Sequence, residues 1–187
     1  MARRKVANTL ALAILGLLQE KSMHPYEMAS TLRERGKDSN YRLNSGSLYD
    51  TVESLAKHGW IEQVAIVKDG KRPERTVYAP TERGQAEFVR WIDELIRVPA
   101  AEHPKFLAAV SYLGALGPQG AAEALTERAG HLERQAARMR EVLAEAAELP
   151  RLFMIEGEFA LHALEAELDW TRRTVAEIQD GTLGWPS

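Results

Sequence analysis

Apolar residues recur along this chain at two periods, and the order in which the period changes predicts its elements. Asn8 to Gln19 carries Leu10, Ile14, Leu17 and Leu18 on one side, the spacing of a buried helix. Ser22-Met23-His24-Pro25 follows. Proline suits a first helical turn, so a second helix opens there, with Tyr26, Ala29 and Leu32 as apolar positions, and ends near Gly36. Lys37 to Arg42 is polar and loop-like. Asn44-Ser45-Gly46-Ser47 supplies several N-cap candidates for a third helix to about His58, where Leu48, Val52 and Leu55 share a face and Gly59 closes the end. Trp60 to Val67 is rich in Ile, Val and Trp and reads as a strand. Lys68-Asp69-Gly70-Lys71 contains an Asp-Gly turn, Arg75 to Ala79 alternates as the returning strand, and Pro80 stops it. Thr81 caps a fourth helix to about Arg97, striped by Phe88, Trp91, Ile92, Leu95 and Ile96.

Val98 to Pro104 has two prolines and no periodicity, so it reads as a linker. Beyond it the pattern is helical throughout. Lys105 to Leu116 carries Phe106, Val110 and Leu113, and Gly117-Pro118 breaks it. Gln119 to Glu148 keeps a heptad: Leu125, Leu132 and Met139 recur every seven residues, as do Ala122, Ala129, Ala136 and Leu143. Such a helix is roughly 45 Å long. Leu149-Pro150 ends it, and a last helix runs from Arg151 to about Gln179. That helix has two apolar rows. One is Leu152, Ile155, Phe159, Ala163, Ala166 and Trp170; the other is Leu161, Leu164, Leu168, Val175 and Ile178. Two apolar faces need two partners, and a second subunit is the natural one beyond the chain itself. The expected dimer seam is therefore Leu125, Leu132, Met139, Leu161, Leu164 and Leu168.

Helix, helix, helix, strand, turn, strand is the order of a winged helix-turn-helix. The predicted fold is mainly α with a small β wing. Residues 1–97 form a winged helix-turn-helix DNA-binding domain, 98–104 a linker, and 105–187 an all-helical dimerisation and effector domain. Charge sharpens this division. The net −3 of the 187 residues hides a basic first part, with 16 Lys and Arg against 13 Asp and Glu in residues 1–97. Residues 98–187 hold 8 against 14. A basic module on an acidic scaffold suits a polyanion partner. Short polar groups at the start of the third helix (Asn44, Ser45, Ser47) let that end enter a major groove, with Tyr49 close behind. Lys68, Lys71, Arg72 and Arg75 crowd the hairpin, and Arg3, Arg4 and Lys5 precede the first helix. These cations suit phosphates or a minor groove.

At these residues the chain resembles the PadR family of regulators. The resemblance rests on Ile14-Leu15-Gly16-Leu17-Leu18, Met23-His24-Pro25-Tyr26-Glu27-Met28 and Ser45-Gly46-Ser47-Leu48-Tyr49. It continues through Leu55-Ala56-Lys57-His58-Gly59-Trp60-Ile61 and Arg72-Pro73-Glu74-Arg75-Thr76-Val77-Tyr78 to Pro80-Thr81-Glu82-Arg83-Gly84. The helical remainder is similar to the long C-terminal region of virulence-activator regulators. The resemblance implies a symmetric dimer, usually a repressor, bound to a pseudo-palindromic double-stranded operator and released by a small aromatic or planar compound. It also implies DNA contacts from Ser45, Ser47, Tyr49 and the wing cations. Two positions depart from the family. Many members have proline where Asp50 stands, and an acid there repels phosphate. Glycine is frequent where Lys71 stands.

Other chemistry is poorly represented. There is no cysteine, which excludes disulfides and thiolate sites and fits a reducing cytoplasm. Leu10 to Leu18 after Arg3-Arg4-Lys5 faintly resembles a signal peptide, but Gln19-Glu20-Lys21 follows without a small-residue cleavage site, and no run spans a bilayer. The expectation is a cytoplasmic protein with no membrane partner. Glu127 with His131 and Glu158 with His162 are spaced i, i+4, yet neither pair has a third ligand at helical spacing, so no metal is expected. No Gly-rich phosphate loop, nucleophile elbow or Ser/His/Asp set appears, so neither a cofactor nor an enzyme is expected. Trp91, Phe153, Phe159 and Trp170 are candidates for an effector pocket, with Glu156, Arg138 or Arg140 orienting a carboxylate ligand. Two alternatives stay open. One is a winged helix that only binds protein, whose wing would expose apolar residues. The other is an activator of the same fold.

Overall fold

The computed structural model describes residues 6, 8–37, 44–68, 74–99 and 102–185, the side chain of Ser45 excepted. The chain divides into two compact units, residues 1–101 and 102–187. The first unit contains α1 (Thr9–Glu20), α2 (Pro25–Glu34), α3 (Ser45–Lys57), the antiparallel strands β1 (Ile61–Val67) and β2 (Arg75–Pro80), and α4 (Glu82–Arg97). The order is that of a winged helix.

The core of this unit gathers one face of each helix. Ile14 and Leu15 of α1, Met28 and Leu32 of α2, and Leu48, Val52 and Leu55 of α3 are buried together with Met23, Trp60, Ile61 and Trp91. Leu48, Val52 and Leu55 are the i, i+4, i+7 stripe of α3, so packing fixes which of its residues face outward. Each helix start is capped by a side chain: Asn8 for α1, His24 for α2, Asn44 for α3 and Thr81 for α4. The wing is tied down at both ends. Met23 and Tyr78 exchange backbone hydrogen bonds of 3.1 and 3.0 Å, which joins β2 to the segment before α2. At the other end the Thr81 N–H donates to the Trp60 carbonyl at 3.1 Å. The ladder slips between Gln63 and Ala65, a bulge that leaves Val64 without a partner. Arg35 grips Glu20 through two bonds of 2.6 and 2.7 Å, holding the end of α2 to the end of α1 and the Glu20 carboxyl below its usual pKa.

The second unit contains α5 (Lys105–Val110), a 3₁₀ turn (Leu113–Leu116), α6 (Gly117–Glu145), a second 3₁₀ turn (Arg151–Phe153) and α7 (Ile155–Gln179). Two of its boundaries depart from the sequence expectation. The predicted helix over 105–116 is interrupted after Val110. There the Ser111 hydroxyl bonds the Leu107 carbonyl at 3.1 Å, a competitor to the helical ladder, and Gly114 follows. The long helix ends at Glu145 rather than Glu148, ahead of the Leu149-Pro150 step that disfavours helical backbone.

The heptad seam also takes a different partner. Ala121, Leu125, Ala129, Leu132 and Ala136 of α6 are buried within the single chain, against α7. Leu168 and Leu164 close over Ala129 and Leu132, while Ile178, Trp170 and Val175 close over Ala121 and Leu125. Small residues at alternate steps let the two helices approach. Leu125, Leu132, Leu164 and Leu168, expected at a subunit interface, thus pack inside the protomer. Periodicity reports that a face is covered, not by which chain. Interhelical ion pairs flank this seam: Arg128 with Glu167, Arg140 with Glu165 at 2.7 Å, and Arg172 with Glu133 at 2.8 Å.

Gly84 in the first turn of α4 gives the sharpest stability test. A Cβ built there lies 1.8 Å from the Trp60 carbonyl oxygen, which is backbone and cannot swing aside. Gly84→Ala is expected to destabilise the first unit by about 3 kcal/mol or more. Urea unfolding followed by fluorescence measures this, and an unchanged midpoint contradicts the packing described.

Candidate nucleic-acid interface

The start of α3 was expected to read bases through Asn44, Ser45 and Ser47. The structure gives two of these side chains a local task. Asn44 Oδ1 accepts from the Ser47 N–H at 2.8 Å, and Ser47 Oγ accepts from the Asn44 N–H at 3.3 Å. This reciprocal arrangement is a capping box with Ser in the third position. The Ser47 hydroxyl also donates to the Asn44 carbonyl at 3.0 Å. One turn on, the Thr51 hydroxyl donates to the Ser47 carbonyl at 2.6 Å and takes a 3.4 Å bond from Asn8 Nδ2. Asn44 and Ser47 therefore shape and anchor the exposed end of α3. Tyr49 stands differently: it is 54% exposed, on the groove-facing side of α3 beside Glu53.

Tyr49 lines a groove of about 450 Å³ between α2, α3 and β2. The other walls include His24, Tyr26, Glu53, Glu74, Arg75 and Tyr78. Arg75 reaches across from the wing, its guanidinium carbon 5.2 Å from the centre of the Tyr26 ring. Lys68 lies at the other strand end, 3.6 Å from Glu74, both side chains exposed. Arg3, Arg4, Lys5, Lys71 and Arg72, also expected to touch DNA, lie outside the described residues, as does the side chain of Ser45. The groove brings Tyr49 and Arg75 together and adds His24 and Tyr26, which the sequence reading did not single out for DNA. For His24 the sequence offers its capping place, a histidine just before Pro25 at a helix start, but not where its second ring nitrogen points.

The expected effector aromatics are divided between the two units. Trp91 belongs to the core of the first unit. In the second unit Trp170 meets Phe106 edge-on at 5.9 Å, and Arg128 covers Phe106 at 3.5 Å. Phe153 and Phe159 are 74% and 73% exposed. The expected dimer residues Met139 and Leu161 are half-buried. Among the described residues no group of three His, Asp or Glu side chains gathers to hold a metal. Glu158 is held by Arg151 at 2.9 Å instead, and its carboxyl lies below the usual range.

The comparisons fit this geometry. Residues 14–90 match the Transcriptional regulator PadR-like family. The N-terminal unit is a PadR-like winged helix. Across 82 residues the chain is 30% identical to the Probable transcriptional regulator Rv1176c of Mycobacterium tuberculosis (strain ATCC 25618 / H37Rv). That match spans 44% of this chain and only 42% of the relative. In overall fold the chain is similar to Bacillus subtilis PadR, solved in complex with operator DNA, with a TM-score of 0.76 and 19% identity. The likeness covers 91% of this chain and 99% of that one. A second structure of that PadR, in complex with p-coumaric acid, also gives 0.76, at 17% identity over 92% of this chain and 99% of that one. The Vibrio cholerae virulence activator AphA gives 0.67, at 17% identity over 91% and 98%. PadR-like proteins are transcriptional regulators rather than enzymes, and no helix among the described residues is long and apolar enough to cross a membrane.

The capping box of this PadR-like unit has a measurable weight. Asn44→Ala is expected to cost about 1 kcal/mol, a drop in Tm of roughly 2–4 °C, and Asn44→Ser to cost much less. Thermal melts of the three proteins check this. Equal melting of Asn44→Ala and the parent contradicts a capping role.

Proposed function

We propose that this protein is a sequence-specific DNA-binding transcriptional regulator that works as a homodimer in the cytoplasm. The observation that carries the reading is the single groove shared by Tyr49 of α3 and Arg75 of the wing. In a winged helix these are the parts that meet the major groove and the flanking backbone. Residues 1–97 would bind the operator and 105–187 would dimerise, joined through 98–104. Two symmetric copies require a pseudo-palindromic site.

Dimerisation has its own support. Val142, Leu149, Leu152, Phe153, Ile155 and Phe159 leave an exposed apolar surface on the second unit. Large exposed apolar side chains gathered on one helical segment are the kind of surface that marks an interaction site. Leu152, Ile155 and Phe159 are the first apolar row read from the sequence, so the interface shifts from the α6 heptad to this row. Repression relieved by a small planar compound completes the proposal. The p-coumaric acid bound by the Bacillus subtilis PadR gives the compound class to try first, and quenching of Trp170 is the signal to follow.

One observation favours a second reading. Val64, Ile66 and Val67 of β1 are exposed, as a wing that docks on protein would have them. DNA binding separates the two readings. On the DNA reading, affinity for a 30-bp mixed-sequence duplex falls linearly on a log–log plot as salt rises. Tyr49→Ala then costs roughly 1–3 kcal/mol on the operator and little on random duplex, with melting unchanged. No duplex binding at low salt leaves the protein-docking reading in place.

Sedimentation tests the dimer. The full chain is expected at about 42 kDa, twice its 20.9 kDa mass, and Phe159→Glu at the mass of one chain. A parent that sediments as a single chain at micromolar concentration contradicts the proposed interface.

A further inference from the structure

Two hydrogen-bond donors in the groove face each other. His24 caps α2, and its Nδ1 accepts from the Glu27 N–H at 3.0 Å. A ring nitrogen that accepts carries no proton, so the neutral ring carries its proton on Nε2. That Nε2 stands 3.4 Å from Nη1 of Arg75. A guanidinium has donors only, so neither N–H can serve the other. Among the described residues no acceptor bridges them.

The pair is held in place from several sides. The Tyr26 ring lies under the Arg75 guanidinium at 5.2 Å and 6.3 Å from the His24 ring. The Met23–Tyr78 backbone pair fixes β2, which carries Arg75, to the residue next to His24. The spacing between the two donors is thus set by backbone pairing and a ring contact rather than by one long flexible side chain.

We propose that His24 and Arg75 together seat one phosphate oxygen, accepting from the His24 Nε2–H and the Arg75 guanidinium at once; the assignment of that oxygen to the DNA backbone rests on the DNA-binding reading above. An oxygen about 2.9 Å from both nitrogens closes a triangle on the 3.4 Å base with ordinary hydrogen-bond lengths. A phosphate suits the arginine because charge-assisted bonds to guanidinium are the strong ones. The location suits DNA because Tyr49 lines the same groove, and phosphates flank the major groove that α3 would enter. Two carboxylates share the walls. Glu74 is offset by Lys68 at 3.6 Å, whereas Glu53 opposes any anion. The groove therefore seats a single phosphate through converging donors, not a row of phosphates through net charge.

The test uses the full-length protein, a 30-bp mixed-sequence duplex and inorganic phosphate. His24→Asn keeps a good capping oxygen but has no N–H at the reach of Nε2. It is expected to weaken duplex binding roughly tenfold with an unchanged salt slope and unchanged melting, because a neutral donor to a charged acceptor is lost. Arg75→Gln is expected to weaken binding and to flatten the log–log salt slope by about 0.9. The double variant loses clearly less than the product of the two, because one acceptor served both. Glu53→Gln binds more tightly. In nitrogen-15 histidine spectra the His24 Nε2–H signal moves when duplex is added. A shift with duplex alone places the seat on the DNA backbone, and a shift with inorganic phosphate as well makes it a general phosphate seat. If the parent binds no duplex, the DNA reading fails and the phosphate titration alone decides the seat. Multiplicative losses in the double variant, or a His24 signal that neither probe moves, overturn the proposal.

Discussion

The rest of the N-terminal unit depends on the one-sided burial of α3. Leu48, Val52 and Leu55 enter the core with Ile14, Leu15, Met28 and Leu32. Each is a fully buried aliphatic side chain, so rotating α3 would expose several at once, at roughly 1.5–3 kcal/mol apiece. That constraint fixes Tyr49 on the outer side. It also fixes where the wing lies, because the loop after α3 feeds Trp60 and Ile61 into the same core before β1 departs. Gly84 then admits the first turn of α4 against the Trp60 carbonyl, closing the unit around this arrangement.

Much of this was legible in the residues. The stripe on α3, the cap at Thr81 and the proline at the start of α2 each name a local structure by a physical rule, while the Asp-Gly turn lies outside the described residues. Their order predicts a winged helix, and the family match over residues 14–90 agrees with it. Many apolar residues of the PadR-like motifs, among them Ile14, Leu15, Met23, Met28, Leu48, Leu55, Trp60 and Ile61, hold core positions.

What was not legible depends on partners. Asn44 and Ser47 look like base readers because short polar residues suit a groove. They equally suit the cap that their run also suggested, and only the folded helix start shows that Asn44 and Ser47 cap each other. The α6 heptad looks like a subunit seam because a stripe does not say what covers it. Here α7 folds back and covers it, while the row of Leu152, Ile155 and Phe159 stays exposed. The break after Val110 was hidden for a similar reason: a serine that turns back on its own helix has no signature in apolar spacing. His24 escaped notice because a capping histidine shows its second nitrogen only in three dimensions.

On the proposed reading, the outer side of α3 and the wing together grip duplex DNA in two symmetric copies. A hydroxyl-radical footprint of the full-length protein on the DNA flanking its own gene tests it most directly. Two protected patches related by a dyad are expected, with centres about one helical turn or a multiple of it apart. A single asymmetric patch, or no protection at concentrations where the protein is folded and dimeric, would contradict it.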